Sequence, residues 1–177
     1  MRPIVLTSAP VFDDHVAAEF VDLDLEATMA TMTDDPYVNH VPVMTGGVGF
    51  EDVRRFYGDH FIGKWPQDIE ITPVSRTVGE NQVVDELVLA FTHDIEMPQL
   101  LPGVAPTGST CSSRSVSSWA SRTARSRTST STGTRRHSWC RSGCSIRPAL
   151  PVTGAEQSEN VLDPRAHPLN ELIRARR

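Results

Sequence analysis

Four ionisable side chains lie near the two ends of the longest β-like run in the chain, residues 83–97. Asp85 and Glu86 lie near its start, and His93 and Asp94 near its end. The middle of the run is apolar on both of its alternating faces, which predicts a strand covered on both sides. Carboxylates and an imidazole on the wall of an apolar pocket can move protons, because burial brings a carboxyl pKa towards neutrality. The alternative is a strand whose charged ends simply reach solvent.

Asp85 and His93 are the favoured catalytic candidates, because both lie on the strand face that carries the larger apolar residues of this run. Eight residues along a strand span about 26 Å. The two side chains therefore cannot act as one dyad, and at most one of them lies at a reaction centre. Glu86, on the opposite face, is a third catalytic candidate, and its alternative role is that of a buried polar anchor.

The candidates for ligand binding are aromatic, imidazole and guanidinium groups distributed along the chain. They are Tyr37, His40, Phe56, Tyr57, Arg76 and Phe91. Phe56 and Tyr57 belong to an aromatic stripe at helical spacing, which forms either core or the apolar wall of a ligand site. His40 is either a structural histidine or a site residue. Arg76 either pairs with a carboxylate across the sheet or orients an anionic ligand.

These candidates are positioned by a predicted order of two helices followed by strands. Apolar residues recur at helical spacing over residues 13–35 and again over 50–61. From residue 68 the period changes to two, which predicts strands over 68–72 and 74–78, a turn at 79–82 and then the long run. This order predicts a single α+β domain over the whole chain, with its helices on one face of an antiparallel sheet.

The composition argues against several functional classes. The chain has 177 residues and a net charge of −5, which gives no reason to expect nucleic acid as a partner. It contains no run of about 18 apolar residues, and its N-terminus lacks the apolar core of a secretory signal, so a soluble cytoplasmic protein without a membrane partner is expected. There is no phosphate loop or dinucleotide fingerprint, and the three cysteines lack metal-ligand spacing. Neither a cofactor nor a metal is expected.

The chain changes character at residues 109–147, which are mostly Ser, Thr and Arg and contain all three cysteines. This Ser/Thr/Arg tract has no strand or helix periodicity, and its composition predicts disorder or a basic linker. It also occupies the place where the half-built sheet needs its closing strands. We interpret the tract as an aberrant segment, produced by a shift of the reading frame near Gly108 that is regained near Arg147.

The genetic code permits this interpretation. If each new codon starts at the third base of the written one, residues 127–147 can be translated as HEHVHWDQASLVVQVGLLDP. In the same way residues 109–115 can give KHVLVPF, and residues 119–126 can give GEPDGKVA, which is typical of a hairpin turn. The first two translations have the apolar pattern of strands.

Several segments carry a resemblance to a known family. They are MATMTDDPYVNHVP (residues 29–42), the helix around 56–57, SRTVG (75–79), DELVLAFTHDIEM (85–97), LLPGVAPTG (100–108), LPVTG (150–154) and PLNELI (168–173). Together with HEHVHWDQ and LVVQVGLLDP from the shifted frame, they resemble bacterial SnoaL-like proteins of the nuclear-transport-factor-2-like superfamily. The resemblance covers nearly the whole chain in the restored frame, and only its two flanks as written.

The resemblance implies a cone-shaped α+β fold, in which a curved antiparallel sheet packs on N-terminal helices and encloses a deep pocket. It also implies a homodimer and a small hydrophobic or carbonyl-containing ligand. The superfamily includes polyketide cyclases, isomerases, dehydratases and epoxide hydrolases. Three hypotheses follow: a cofactor-independent acid–base enzyme, a non-catalytic ligand-binding module, or a frameshifted product with no function. The written chain lacks the His, Trp and Asp of HEHVHWDQ, so weak or absent family activity is expected of it.

Overall fold

The structure is a computed structural model that describes residues 8–41, 43–123, 125–131, 159–160 and 163–175. Its helices are α1 (Ser8–Ala17), which continues into a π-helical turn (Ala18–Asp22), α2 (Leu25–Ala30), α3 (Phe50–Phe56), which continues into a second π-helical turn (Tyr57–Phe61), and α4 (Glu171–Arg174). Its strands are β1 (Tyr37–His40), β2 (Thr45–Val48), β3 (Glu70–Val78), β4 (Gln82–Thr92), β5 (Thr110–Thr123) and β6 (Arg125–Ser131).

Within the described part of the chain, the strands form one six-stranded sheet in the order β2-β1-β6-β5-β4-β3. Neighbouring strands are antiparallel except β1 and β6, which are parallel where His40 pairs with Thr130. Helix α1 packs on β4 and β5, and α3 packs on β1 and β2. The predicted α+β class is confirmed.

The helix predicted over residues 13–35 is in fact two helices. Leu23 interrupts it with a left-handed backbone (φ 52°), and Asp24 then caps the next helix. The Oδ1 of Asp24 accepts hydrogen bonds from the amides of Glu26 and Ala27, at 2.9 and 3.0 Å. An N-cap carboxylate satisfies amides that have no partner inside the helix, so α2 starts anew at this point.

The predicted strand boundaries also need correction. The strand predicted over residues 83–97 ends before His93, so His93 and Asp94 belong to the turn that follows β4. The two strands predicted on either side of Pro73 form one strand, β3, whose pairing with β4 is irregular between Pro73 and Ser75. Proline has no amide hydrogen for the ladder, and it is tolerated here because β3 is an edge strand.

The Ser/Thr/Arg tract forms β5 and β6 as far as Ser131, so the expectation that it supplies no strand is wrong for these residues. β5 pairs continuously with β4, from Thr110 opposite Thr92 to Ala120 opposite Gln82. A strand as long as β4 leaves a row of amides and carbonyls that need partners, and any backbone can supply them. Backbone pairing therefore offsets an unfavourable composition.

The inward face of β5 carries Cys111, Ser113, Ser115 and Trp119, all of which are buried. Two serines in the middle of this face contribute little apolar surface, whereas covered strands are ordinarily rich in Val, Ile and Leu. The rest of the tract, residues 132–147, lies outside the described residues together with Cys140 and Cys144. That the tract results from a frame shift remains a prediction.

Three apolar clusters hold the layers together. The first packs α2, α3 and β1 around Phe56. The second lies around Phe91 and packs β4 and β5 against the loop that joins these two strands. In the third, Phe12 of α1 packs against Val83 and Trp119, with 5.6 Å between the centroids of the Phe12 and Trp119 rings. The third cluster fixes the distance of α1 from the sheet.

Gly46 is a position where only glycine fits. Its φ is 148°, and an added Cβ would lie 2.0 Å from the carbonyl oxygen of Val38. The side chain of Asn170 also clamps its backbone, accepting from its amide at 2.9 Å and donating to its carbonyl at 2.7 Å. We expect Gly46→Ala to lower the free energy of unfolding by about 2 kcal/mol in urea titrations. Gly79→Ala, whose Cβ would meet Gln82 at 3.5 Å, should change it by less than about 0.5 kcal/mol; equal losses would contradict this explanation.

Candidate functional site

A cavity of about 470 Å³ lies between the first helical segment and strands β3, β4 and β5. Most of its wall is apolar, including Val16, Phe20, Phe61, Trp65, Leu87 and Leu89. Its volume falls within the range of roughly 300–1,000 Å³ that is typical of small-molecule sites. Nine of its 20 lining residues are polar or charged, and these side chains determine what the cavity can do chemically.

His15 and Glu19 lie one helical turn apart, at the junction of α1 and its π-helical turn, and both line the cavity. Residues four apart project from the same face of a helix. The Nε2 of His15 lies 2.8 Å from the Oε1 of Glu19, and their side chains are 1% and 8% exposed. The phenol oxygen of Tyr57 lies 3.4 Å from the same nitrogen of His15. A carboxylate and an imidazole are thus held together on an apolar wall.

The pKa of His15 is raised above its usual value of 6.5. Burial by itself acts in the opposite direction, because it disfavours the charged ring. The charge of the Glu19 carboxylate and its hydrogen bond, together with the carbonyl of Thr28, outweigh the burial. The contact with Glu19 therefore favours the protonated form of the His15 ring.

His40, at the end of β1, lines the same cavity, and its pKa is shifted in the opposite direction. Its Nδ1 lies 3.1 Å from the Oγ1 of Thr45, and its ring stacks on Phe61 with 5.7 Å between centroids. Burial lowers the pKa of His40 to about 4, and the charge of Glu19 and the carbonyl of Gln99 oppose this only in part. His40 is therefore a neutral imidazole at pH 7.

Glu19 thus acts on two imidazoles whose environments push their pKa values apart. This is the ordinary way in which one site supplies both a proton donor and a proton acceptor at the same pH. Tyr57 adds a third group behind His15: burial first, and then the charge of Glu19, raise the pKa of its phenol well above the usual value. The phenol therefore stays protonated and can only donate or share its proton.

Four of the residues predicted from the sequence line this cavity: His40, Arg76, Asp85 and Glu86. Arg76 pairs with Asp85, donating from Nε to Oδ1 and from Nη2 to Oδ2 at 2.7 Å each. It also donates to Asp13 of α1 at 2.7 Å. Of its two predicted roles, the structure shows the pair across the sheet. Glu86 is paired with an arginine of β5, so both strand carboxylates are neutralised.

His93 and Tyr37 lie away from the cavity. His93 is buried in the turn after β4, where its amide donates to the carbonyl of Ser109 at 3.0 Å and its Nδ1 lies 3.4 Å from the Oγ1 of Thr107. Burial lowers the pKa of His93, partly opposed by the neighbouring Asp94. The phenol of Tyr37 donates to a backbone carbonyl at 2.9 Å. His93 therefore connects the turn after β4 to the residue that precedes β5, and Tyr37 connects β1 to Asn160.

The aromatic candidates Phe56, Tyr57 and Phe91 are buried core residues rather than lining residues of this cavity. Phe56 also borders a second, more open cavity of about 760 Å³ between β2, α3 and residues 164–174. Several charged side chains there are paired, among them Arg55 with Asp52.

The sequence prediction missed His15 and Glu19. Their signal was present as a His and a Glu four residues apart, interleaved with the apolar positions Phe12, Val16 and Phe20. A polar pair at helical spacing beside an apolar stripe indicates groups that border the buried face. What the sequence could not show is that Tyr57, 42 residues away, closes over them.

Two kinds of site are absent from the described residues. None of their helices is both long and apolar enough to cross a membrane. Within the same residues, no three His, Cys, Asp or Glu side chains are placed so that they could hold a metal ion.

The lowered pKa of His40 makes stability depend on pH. The unfolded chain protonates this residue below about pH 6.5, whereas the folded chain resists protonation down to about pH 4. Acidification through this window therefore favours unfolding, by about 3 kcal/mol in total at about 1.4 kcal/mol per pKa unit. We expect His40→Asn to flatten the loss of stability between pH 6.5 and 4, measured by urea unfolding.

The control is His167→Asn, which changes a partly exposed imidazole. His15 does not cause a loss of stability between pH 6.5 and 4. Its pKa is raised in the folded chain, so its contribution to stability is present below pH 6.5 and is lost as the pH rises through the folded pKa. A wild-type curve that stays flat from pH 6.5 to 4 would contradict the burial of a neutral His40.

Comparison with known proteins is informative only at the level of structure. No family model matches the chain, and no curated protein matches it. Solved structures do match, among them a Δ5-3-ketosteroid isomerase from Mycobacterium sp. (16% identity, 73% of this chain and 95% of that chain, TM-score 0.51). An NTF2-like protein from Anabaena variabilis matches at 14% identity with a TM-score of 0.53, and the match covers 76% of this chain and 95% of that chain. A Mycobacterium tuberculosis protein in complex with estradiol-17β-hemisuccinate matches at 16% identity with a TM-score of 0.50, and the match covers 72% of this chain and 93% of that chain. Identities this low establish the fold alone.

Proposed function

Since the chain has the nuclear-transport-factor-2-like fold, we propose that it is a cofactor-independent enzyme that moves a proton on a small, mostly apolar ligand in the cavity. The observation that carries the proposal is the buried Glu19–His15 pair on the apolar wall, with the neutral His40 on the same cavity. Burying a carboxylate and an imidazole costs desolvation free energy, and ionisable groups with shifted pKa values cluster at functional sites.

The proposed step is proton abstraction next to a carbonyl group. Glu19 accepts the proton from the carbon, and the electron pair of the broken C–H bond forms the C=C bond of an enolate, whose negative charge rests on the former carbonyl oxygen. Protonation of Glu19 neutralises the partner of the His15 imidazolium. The positive charge of the imidazolium then stabilises the negative charge of the enolate. Return of the proton to a different carbon completes an isomerisation.

The ligand is proposed to be neutral, hydrophobic and carbonyl-containing. The apolar wall favours a hydrophobic body, and the arginines near Asp85 and Glu86 are already paired, so no free cation awaits an anionic group among the described cavity residues. The solved structures that match this chain include one protein co-crystallised with polyporic acid and a computationally designed binder of 17-OHP. Those ligands are properties of those proteins and guide only the choice of probes.

A homodimer forms part of the proposal, because the family resemblance implies one. Val74 and Val78 of the edge strand β3 are exposed, at 54% and 46%, and a partner on this side of the sheet would cover them. Light scattering coupled to size exclusion tests this directly. A monomer at all accessible concentrations would remove the dimer from the proposal and leave the cavity chemistry unaffected.

Hydrogen–deuterium exchange tests the activity without knowledge of the natural substrate. The chain is incubated in D₂O with a panel of cyclic ketones, lactones and a Δ5-3-ketosteroid, and incorporation of deuterium next to the carbonyl is followed by NMR. We expect catalysed exchange for at least one neutral ligand, and retention of that exchange in His93→Gln, which changes a residue away from the cavity. Saturable binding without exchange would support a non-catalytic binding module instead.

A further inference from the structure

The imidazole of His15 is held from behind by Thr31. The Oγ1 of Thr31 lies 2.7 Å from the Nδ1 of His15 and donates its own proton to the carbonyl of Thr28, also at 2.7 Å. A hydroxyl has one proton to give, and a carbonyl can only accept. Because that proton is already given to Thr28, the Thr31 oxygen accepts from His15. The Nδ1 of His15 must therefore carry a proton.

His40 is held in the same way by a different threonine. The Oγ1 of Thr45 lies 3.1 Å from the Nδ1 of His40 and donates to the carbonyl of Gln99 at 2.5 Å. The same count of protons applies, so the Nδ1 of His40 carries the proton of this neutral ring. In both cases the backbone carbonyl behind the threonine also favours the protonated ring.

We propose that Thr31 and Thr45 are positioning residues that fix His15 and His40 as Nδ1–H, so that each ring exchanges protons through Nε2. For His15, Nε2 lies 2.8 Å from Glu19, and the mobile proton belongs to that pair. For His40, Nε2 remains an acceptor for a ligand in the cavity. The opposite tautomer of His40 would present a donor in its place.

The surroundings of the two rings contain the groups that could compete with this arrangement. His15 is approached by Glu19, which lies on the same helical segment, and by the phenol of Tyr57, which lies on the π-helical turn after α3. His40 is approached by the charge of Glu19 and by the ring of Phe56. None of these groups is a proton acceptor at either Nδ1 in the described structure, so the threonines and the carbonyls behind them determine the tautomers.

The tautomers can be measured directly in the folded chain by ¹⁵N NMR of the histidine rings at pH 7. For His40 we expect a protonated Nδ1 and an unprotonated Nε2, and for His15 two protonated nitrogens. Thr45→Val preserves the shape and removes the hydroxyl, so the His40 signals should move towards the Nε2–H form. Thr31→Val should move the titration of His15 to lower pH. Thr31→Ser and Thr45→Ser keep the hydroxyl, so these two variants should give the same histidine spectra as the wild type.

Thr28→Val is the matched control. Thr28 is buried, and its hydroxyl donates to the carbonyl of Asp24 at 2.7 Å without contacting an imidazole. This variant should lose stability without altering either tautomer. A wild-type His40 in the Nε2–H form, or a His40 tautomer unchanged in Thr45→Val, would overturn the proposal.

The catalytic consequence rests on the proposed function. In the deuterium-exchange assay we expect Thr31→Val to slow exchange by about tenfold and to shift its pH profile in the same direction as the His15 titration, whereas a purely structural loss would slow exchange at every pH alike. Wild-type tautomers as expected, with no exchange on any ligand, would support the positioning role and count against the enzyme.

Discussion

A chain in which residues 109–147 are translated in the restored frame should unfold on the order of 10 °C above the chain as written. The reason lies on the inward face of β5. Its buried positions include Cys111, Ser113 and Ser115, and the last two lie directly opposite Leu89 and Leu87 of β4. Serine at such positions buries a hydroxyl where an apolar side chain would stabilise the sheet.

The genetic code explains how the shift would replace the polar residues of this face by apolar ones. Cysteine codons begin with T, and so does one of the two families of serine codons. After the shift this T becomes the middle base, and every codon with a middle T specifies an apolar residue. The translation KHVLVPF accordingly places Val, Val and Phe at the positions of Cys111, Ser113 and Ser115. The restored frame thus makes the buried positions of β5 apolar, and it also places Leu at Ser112 on the exposed face.

A single substitution tests the packing part of this argument. Ser115 lines the cavity, so a larger side chain has space beside it. Burial of a phenylalanine side chain is worth about 1.5–3 kcal/mol, which corresponds to roughly 3–10 °C for a chain of this length. We expect Ser115→Phe to raise the midpoint of thermal unfolding by this amount and to weaken ligand binding, because the ring occupies part of the cavity.

Ser112→Phe is the matched control, since it makes the same change on the exposed face of β5. It should not raise the unfolding temperature. Equal effects of the two substitutions would contradict the burial argument. Sequencing the gene around codons 108–147 tests the frame itself: an unshifted gene would end that interpretation, and the result for Ser115→Phe would still measure the cost of serine at this position.

The sequence predicted the fold class because two apolar periods follow one another along the chain. The helical period up to Phe61 and the alternating period from residue 68 are both local properties, and β4 shows its pattern without help from its neighbours. The break at Leu23 was missed because the apolar pattern runs across it, although Asp24 followed by Glu26 was a capping signal. β5 was missed for the opposite reason: its pairing partner, and not its composition, determines its structure.

The site was predicted only in part, for a similar reason. Arg76, Asp85 and Glu86 were found because charged residues in a strand are conspicuous, but the structure pairs each of them with an opposite charge. Glu19 was overlooked because a carboxylate in an amphipathic helix is ordinarily on the solvated face. Its burial follows from the packing of α1 against a sheet far away in sequence, which no local pattern reports.

The largest effect on activity is expected from Glu19→Gln, which should slow catalysed exchange by a factor of about 100 or more. Glutamine has nearly the same size but cannot accept a proton at neutral pH. The same substitution should lower the pKa of His15, because burial then acts without the opposing carboxylate. Stability should therefore suffer more at pH 5, where the unfolded chain protonates His15 and the folded one resists, than at pH 8.

Glu80→Gln, in the exposed turn before β4, is the control for the loss of one negative charge and should behave as the wild type in both measurements. The informative comparison is with Asp85→Asn, which removes the strand carboxylate predicted from the sequence and held by Arg76. Loss of exchange in Asp85→Asn with retention in Glu19→Gln would move the chemistry from the helix to β4. The reverse result is expected, because the carboxylate of Asp85 is bound by two donors of one guanidinium, whereas Glu19 shares its proton with an imidazole that can return it.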